Sequence, residues 1–150
     1  MSKIVIADSS CLIALNKIGK LKILQSLFGN ILIPQKVCYE VVILGKRRPG
    51  ANELKNAKWI ETRKVENELA VKAFRLNLGA GESEAIALAM EQNADFIILD
   101  DWKVRQTAID LSLSVIGTVA VLAKAEEKGI INDLQKVIRD LKGAGFYYSL

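Results

Sequence analysis

Apolar positions alternate between two kinds of run along this chain. Ile4-Val5-Ile6-Ala7, Ile31-Leu32-Ile33, Phe96-Ile97-Ile98-Leu99 and Ser114-Val115-Ile116 are short and continuous, as in strands covered on both faces. Longer stretches between them space their apolar residues at helical intervals. The pattern predicts a strand over 3–7, then helices over 9–17 and 20–28 separated by Gly19, with Ser9 as N-cap of the first. A strand at 31–33 follows. A helix runs from Pro34-Gln35 to about Leu44, because proline suits a helix entrance. Gly45 through Gly50 is a basic loop, and Ala51–Ala57 a short helix.

In the second half, Trp59–Val65 has strand character and Glu66–Asn77 reads as a helix. Leu78-Gly79-Ala80-Gly81 breaks the chain before an alanine-rich helix over 82–92. A strand over 95–99, a helix over 102–111, a strand over 114–116 and a helix from Gly117 to Lys128 come next. Asn132 or Asp133 caps a last helix to about Leu141, and Phe146-Tyr147-Tyr148 is expected at a sheet edge. Strands alternating with helices predict an α/β fold, a mostly parallel sheet with helices on both faces. No repeat or linker divides the chain, so residues 1–150 are expected to form a single domain.

Composition adds little to this picture and excludes a good deal. With 51% hydrophobic and 25% charged residues the balance is that of an ordinary globular protein. No run approaches the ~18 apolar residues of a membrane span, and the N-terminal run is too short to be expected as a signal peptide. A cytoplasmic protein is the expectation. There is no histidine, so Ser-His-Asp and Cys-His triads and imidazole-held zinc are excluded. Cys11 and Cys38 lie in apolar stretches without CxxC spacing and read as buried thiols. No phosphate-binding glycine loop of known form is present.

Four acids stand out. Asp8 and Asp100 each follow a predicted strand, while Glu40 and Glu82 lie on predicted helices. Open parallel sheets bind ligands outside the carboxyl ends of their strands. Carboxylates collected there suit a hard cation, Mg²⁺ or Mn²⁺. Taken singly, each acid has a plainer reading as a helix cap or a solvated side chain. Glu82 shares a helix face with Ala85, Ile86 and Ala89 and is preferred over Glu84, which points to nearly the opposite side. Asp100 is preferred over Asp101, which either caps the helix near Trp102 or joins as a further ligand. The net charge of +4 and pI of about 9.1 permit nucleic-acid binding. The cluster Lys46-Arg47-Arg48 is the best candidate for phosphate contact.

The ordered set Ile4-Val5-Ile6-Ala7-Asp8-Ser9-Ser10, Glu40-Val41, Gly81-Glu82-Ser83-Glu84-Ala85-Ile86 and Ile98-Leu99-Asp100-Asp101 resembles the PIN domain, including the VapC-like single-domain prokaryotic proteins. The resemblance extends over essentially the whole chain. It implies a three-layer α/β/α sandwich and Mg²⁺- or Mn²⁺-dependent cleavage of single-stranded RNA. It places Asp8, Glu40, Glu82 and Asp100 in the acidic pocket, with Ser10 as a small hydroxyl beside them. Two departures are visible: Glu82 stands where such proteins often have Asp, and the Thr of a Thr-x-Asp is replaced by Ile98. Lys46, Arg47, Arg48, Lys103 and Arg105 are then candidates for holding the RNA backbone. The resemblance also implies a homodimer and, in the toxin of a toxin–antitoxin pair, a small antitoxin partner. The competing reading is a non-catalytic PIN-like module that binds RNA or a protein.

Overall fold

The computed structural model describes residues 3–43 and 51–146. The expected basic loop, with Lys46, Arg47 and Arg48, lies outside the described residues, as do Tyr147 and Tyr148 of the expected edge strand. In chain order the elements are β1 (Val5–Ala7), α1 (Ser9–Lys17), α2 (Lys22–Phe28), β2 (Ile31–Pro34) and α3 (Gln35–Cys38), which continues as a π-helical turn over Tyr39–Ile43. Then come α4 (Ala51–Asn56), β3 (Ile60–Arg63), α5 (Glu68–Phe74), α6 (Ala80–Glu91), β4 (Phe96–Ile98), α7 (Trp102–Asp110), β5 (Val115–Ile116), α8 (Thr118–Glu127) and α9 (Leu134–Gly143).

The strands form one parallel sheet in the order β3-β2-β1-β4-β5. Strand periodicity divides their side chains between two cores. Val5, Ala7, Ile31, Ile33 and Ile98 face one side, packed under α1, α2, α8 and α9. Ile6, Ile97 and Leu99 face the other, packed under α6 and α7. The continuous apolar runs of the sequence are thus explained: both sheet faces are covered, giving three α/β/α layers. Each large side chain buried this way contributes about 1.5–3 kcal/mol.

Several local expectations are corrected. Ser9 is not the N-cap of α1; Asp8 is, its carboxylate accepting from Ser9 N–H. Helix α6 begins at Ala80, with Gly79 as N-cap, so the glycine stretch starts the helix instead of breaking the chain. The helix after Pro34 widens to π geometry where an unbroken α-helix was expected. Phe146 is not in a strand. Cys11 is buried but Cys38 only partly so, and both are free thiols. Among the described residues no helix is long and apolar enough to cross a membrane.

The strand order matters for the site. The chain leaves β1 for β2 and β3, then crosses back to place β4 on the other side of β1. The β1–β4 pair is therefore the switch point of the sheet, where a crevice opens beyond the strand carboxyl ends. Ala7 pairs with Ile98, and Asp8 N–H donates to the Ile98 carbonyl at 3.3 Å. Asp8 and Asp100 leave the sheet side by side at that crevice.

Candidate functional site

A cavity of about 460 Å³ opens at the switch point. Asp8, Glu40, Glu82, Asp100 and Asp101 line it, together with Ser9 and Ser10, and among the described residues no basic side chain does. Each acid arrives on a different element. Asp8 joins β1 to α1, Glu40 sits in the π turn, Glu82 lies in the first turn of α6, and Asp100 follows β4. The π turn is of interest because such turns re-aim side chains and recur at functional sites.

The acids are held in different ways. Asp100 is buried and accepts two bonds from Thr118, N–H to Oδ1 at 2.8 Å and hydroxyl to Oδ2 at 2.6 Å. Asp8 is also buried and accepts from Ser9 N–H at 2.8 Å. Glu40 Oε2 accepts from the Ser9 hydroxyl at 3.4 Å, while its Oε1 is buried without a partner. Glu82 is half-buried and turns back to accept from Gly79 N–H at 3.0 Å, capping its own helix. Asp101 accepts from Val104 N–H at 3.2 Å and caps α7. Glu84 is not at the cavity; it accepts from Lys36 N–H at 3.1 Å, at the start of α3.

Burial and crowding of like charge shape the electrostatics. Burial pushes the Asp8 carboxyl up from 3.8 to about 7; the Ser9 N–H bond opposes this, and the charges of Glu82, Glu40 and Asp100 add to it. Burial also raises Glu40, against the Ser9 hydroxyl and the Lys36 charge, which lower it. The Cys11 thiol, beneath the site, is pushed up to about 12 by burial and is held as a neutral core group.

Two glycines allow this packing. A Cβ on Gly81 would overlap Glu40 Oε1 and lie 3.0 Å from its Cδ. A Cβ on Gly117 would lie 3.3 Å from Asp100 Oδ1 and 3.6 Å from Arg105 Nη1. Arg105 therefore stands next to Asp100, partly buried, with its Nε unpartnered. Lys103 is exposed on α7 and does not line the cavity.

Thr118 escaped the sequence reading as a site residue. Its signal was present: a Gly-Thr pair directly after a strand, at the start of a helix. It supplies Asp100 with the hydroxyl that Ile98 cannot.

The donor set is all oxygen and concentrated, with acids outnumbering the neighbouring Arg105 and Lys36, and one buried carboxylate oxygen, Glu40 Oε1, has no partner among the described residues. That chemistry fits a hard divalent cation. Among the described residues no three acids converge closely enough to enclose an ion as they stand. The arrangement is a ring of carboxylates around an open cavity.

No functionally curated protein matches the chain in sequence. In structure it is similar to a PilT N-terminus domain protein from the hyperthermophilic archaeon Sulfolobus solfataricus P2. That similarity has a TM-score of 0.58 and 22% identity, and covers 81% of this chain and 92% of the other. At that identity the likeness speaks for the fold. A family profile described as PIN domain matches residues 4–150. The chain belongs to the PIN domain family, whose members are generally metal-dependent nucleases.

Proposed function

We propose that this protein is an endoribonuclease that cuts single-stranded RNA with Mg²⁺ or Mn²⁺. The observation that carries the reading is the cavity at the sheet's switch point, lined by five acids and, among the described residues, by no basic side chain. So much carboxylate gathered in one cavity is costly to hold near low-dielectric walls unless a cation offsets it.

Asp8, Glu40, Glu82 and Asp100 are the residues that would hold the ion, with Asp101 as a further ligand. When bound, such an ion supplies an activated water at neutral pH and offsets charge on the scissile phosphate, which suits a chain without histidine. The protein's own part is positioning and charge control. Thr118 holds Asp100 by both oxygens, one bond to each. Burial and the neighbouring carboxylates hold the Asp8 pKa near 7, so a cation bound beside it would favour the deprotonated carboxylate. Glu82, half-buried in the first turn of α6, would give up its bond from Gly79 N–H to hold the ion. Ser9 orients Glu40, and Ser10 is a hydroxyl on the cavity wall. Arg105 and Lys103, beside and beyond Asp100, are the described cations that would meet the RNA backbone; Lys46, Arg47 and Arg48 complete that proposal from sequence.

The family resemblance brings a homodimer and a small antitoxin partner into the same proposal. The deciding experiment is cleavage of a generic single-stranded RNA by wild type and Asp8→Asn, with Mn²⁺ or Mg²⁺ and with EDTA. Cutting should require both the cation and Asp8. Undiminished cutting by folded Asp8→Asn would overturn the assignment. Absence of cutting by wild type, with RNA still bound, would favour a non-catalytic binding module.

A further inference from the structure

Trp102 is 62% exposed, the most open aromatic side chain among the described residues. A tryptophan in a folded domain is ordinarily well covered, with its indole N–H paired. Trp102 belongs to neither core, and among the described residues nothing stacks on its ring or hydrogen-bonds its indole. The other rings differ. Tyr39 carries Lys36 Nζ 4.6 Å from its centre, and Phe96 has Lys3 and Lys124 at 5.1 and 5.4 Å. Trp59 and Phe74 pack on the cores.

The start of α7 explains where this indole stands. Asp101 caps the helix, and Trp102 and Lys103 are its first two residues, both exposed, while Val104 and Ala108 are buried. Asp100 and Asp101 line the acidic cavity. Consecutive Cα atoms lie about 3.8 Å apart, so the indole springs from the cavity's border. Packing accounts for none of this exposed surface, and a cavity of carboxylates repels a polyanion unless other groups attract it. Single-stranded RNA is held by aromatic faces that stack its bases and by cations along its backbone. We propose that Trp102 is a base-stacking platform for single-stranded RNA, and that Lys103 beside it meets a backbone phosphate. The stacked base belongs to the strand whose scissile phosphate enters the acidic cavity. In that placement the inference rests on the proposed nuclease function.

The test is fluorescence anisotropy of a labelled mixed-sequence hexamer RNA, with EDTA present so that nothing is cut. The same hexamer with all bases removed is the second probe. Wild type should bind the base-bearing hexamer about ten-fold more tightly than the abasic one. Trp102→Ala should lose that preference with its melting temperature preserved, because the ring lies outside the cores, and Trp102→Phe should keep most of it. Lys103→Ala should weaken both probes alike and make binding less dependent on salt. The indole can also be read directly. The chain has two tryptophans, so in Trp59→Phe the remaining emission is that of Trp102. The base-bearing hexamer should quench it and the abasic one should not. Equal affinity of wild type for the two probes, or no binding of either, would overturn the platform. So would a Trp102→Ala protein that keeps the preference, or emission in Trp59→Phe that bound RNA leaves unchanged. Metal-dependent cutting with a base preference indifferent to Trp102 would strike the platform and leave the nuclease reading. A Trp102-dependent preference without metal-dependent cutting would keep the platform and strike that reading.

Discussion

The Glu40 carboxylate occupies the space that a side chain at Gly81 would need. The π turn and the first turn of α6 meet there, and the contact is possible only because residue 81 has no Cβ. Gly81→Ala would gain up to about 1 kcal/mol of helix propensity. Its methyl would drive Glu40 Oε1 out of its buried position. Because the atom that must move is the end of a flexible side chain, the fold should survive. We expect a melting temperature within a few degrees of wild type and metal-dependent cleavage reduced at least ten-fold. Full activity in the alanine variant would show that the Glu40 position is not needed.

Asp8 sets a pH dependence with a definite sign. The unfolded chain releases this proton near 3.8 and the folded chain near 7. Between those values the folded state binds more protons, so raising the pH costs stability. Asp8 therefore favours the cation-free fold most below its unfolded pKa. That advantage falls away as pH rises to about 7 and is absent above. The full span corresponds to roughly 4 kcal/mol at 1.36 kcal/mol per tenfold change in proton affinity. Urea denaturation in EDTA at pH 5 and pH 8 should show wild type losing stability while Asp8→Asn loses much less. Part of the slope should persist in the variant, because Glu40 is raised as well. Parallel pH profiles for the two proteins would contradict the charge account.

A divalent cation should act in the opposite sense. It binds the deprotonated carboxylates, so it should stabilise the protein more at pH 8 than at pH 5. At a hundredfold excess over Kd the gain is about 2.7 kcal/mol. Thermal melts with Mn²⁺ against EDTA measure it. Asp8→Asn and Glu40→Gln should each remove most of the shift. A shift unchanged in both variants would place the ion elsewhere.

The two glutamates of α6 should separate cleanly. Glu84→Gln removes charge from a helix-start contact with Lys36 N–H, so it should cost up to about 1 kcal/mol of stability and leave cleavage intact. Glu82→Gln should remove cation-dependent stabilisation and cleavage while changing the cation-free stability by less than about 1 kcal/mol. The reverse pattern, read from melts and RNA cleavage together, would reassign the cation-binding role to Glu84.

Thr118→Val tests the anchor of Asp100. It deletes the 2.6 Å hydroxyl bond while keeping shape, and leaves a buried carboxylate with only the 2.8 Å N–H. Hydrogen bonds to charged groups contribute about 1.5–3 kcal/mol, so a loss of that size is expected in denaturation. Cleavage should fall with it, and Thr118→Ser should recover most of both. Unchanged stability in the valine variant would show that the bond contributes nothing net.

Much of the fold was legible because short-range physics wrote it. Continuous apolar runs require burial on both faces, and Ile4-Val5-Ile6-Ala7 and Phe96-Ile97-Ile98-Leu99 are strands for that reason. The four acids were legible as candidates because two follow such runs, Glu40 interrupts an apolar helix, and Glu82 shares a helix face with Ala85, Ile86 and Ala89. What failed was local and geometric. A cap at Asp8 in place of Ser9, and a helix starting at Ala80, depend on where a side chain turns once the backbone is set. Composition could not reveal the widening of the helix at Tyr39 to π geometry.

The sequence by itself determined the α/β class and the absence of imidazole chemistry, and it singled out the candidate acids. Each follows from residue type and period alone. Only the tertiary structure decided that Glu82 reaches the cavity while Glu84 caps α3. Only it could show that Thr118, far along the chain, supplies Asp100 with a hydroxyl. It alone joined Phe146 to the cavity wall. Those contacts are made between elements distant in sequence. Their geometry comes from the strand order that brings β4 beside β1, and no local pattern encodes that order.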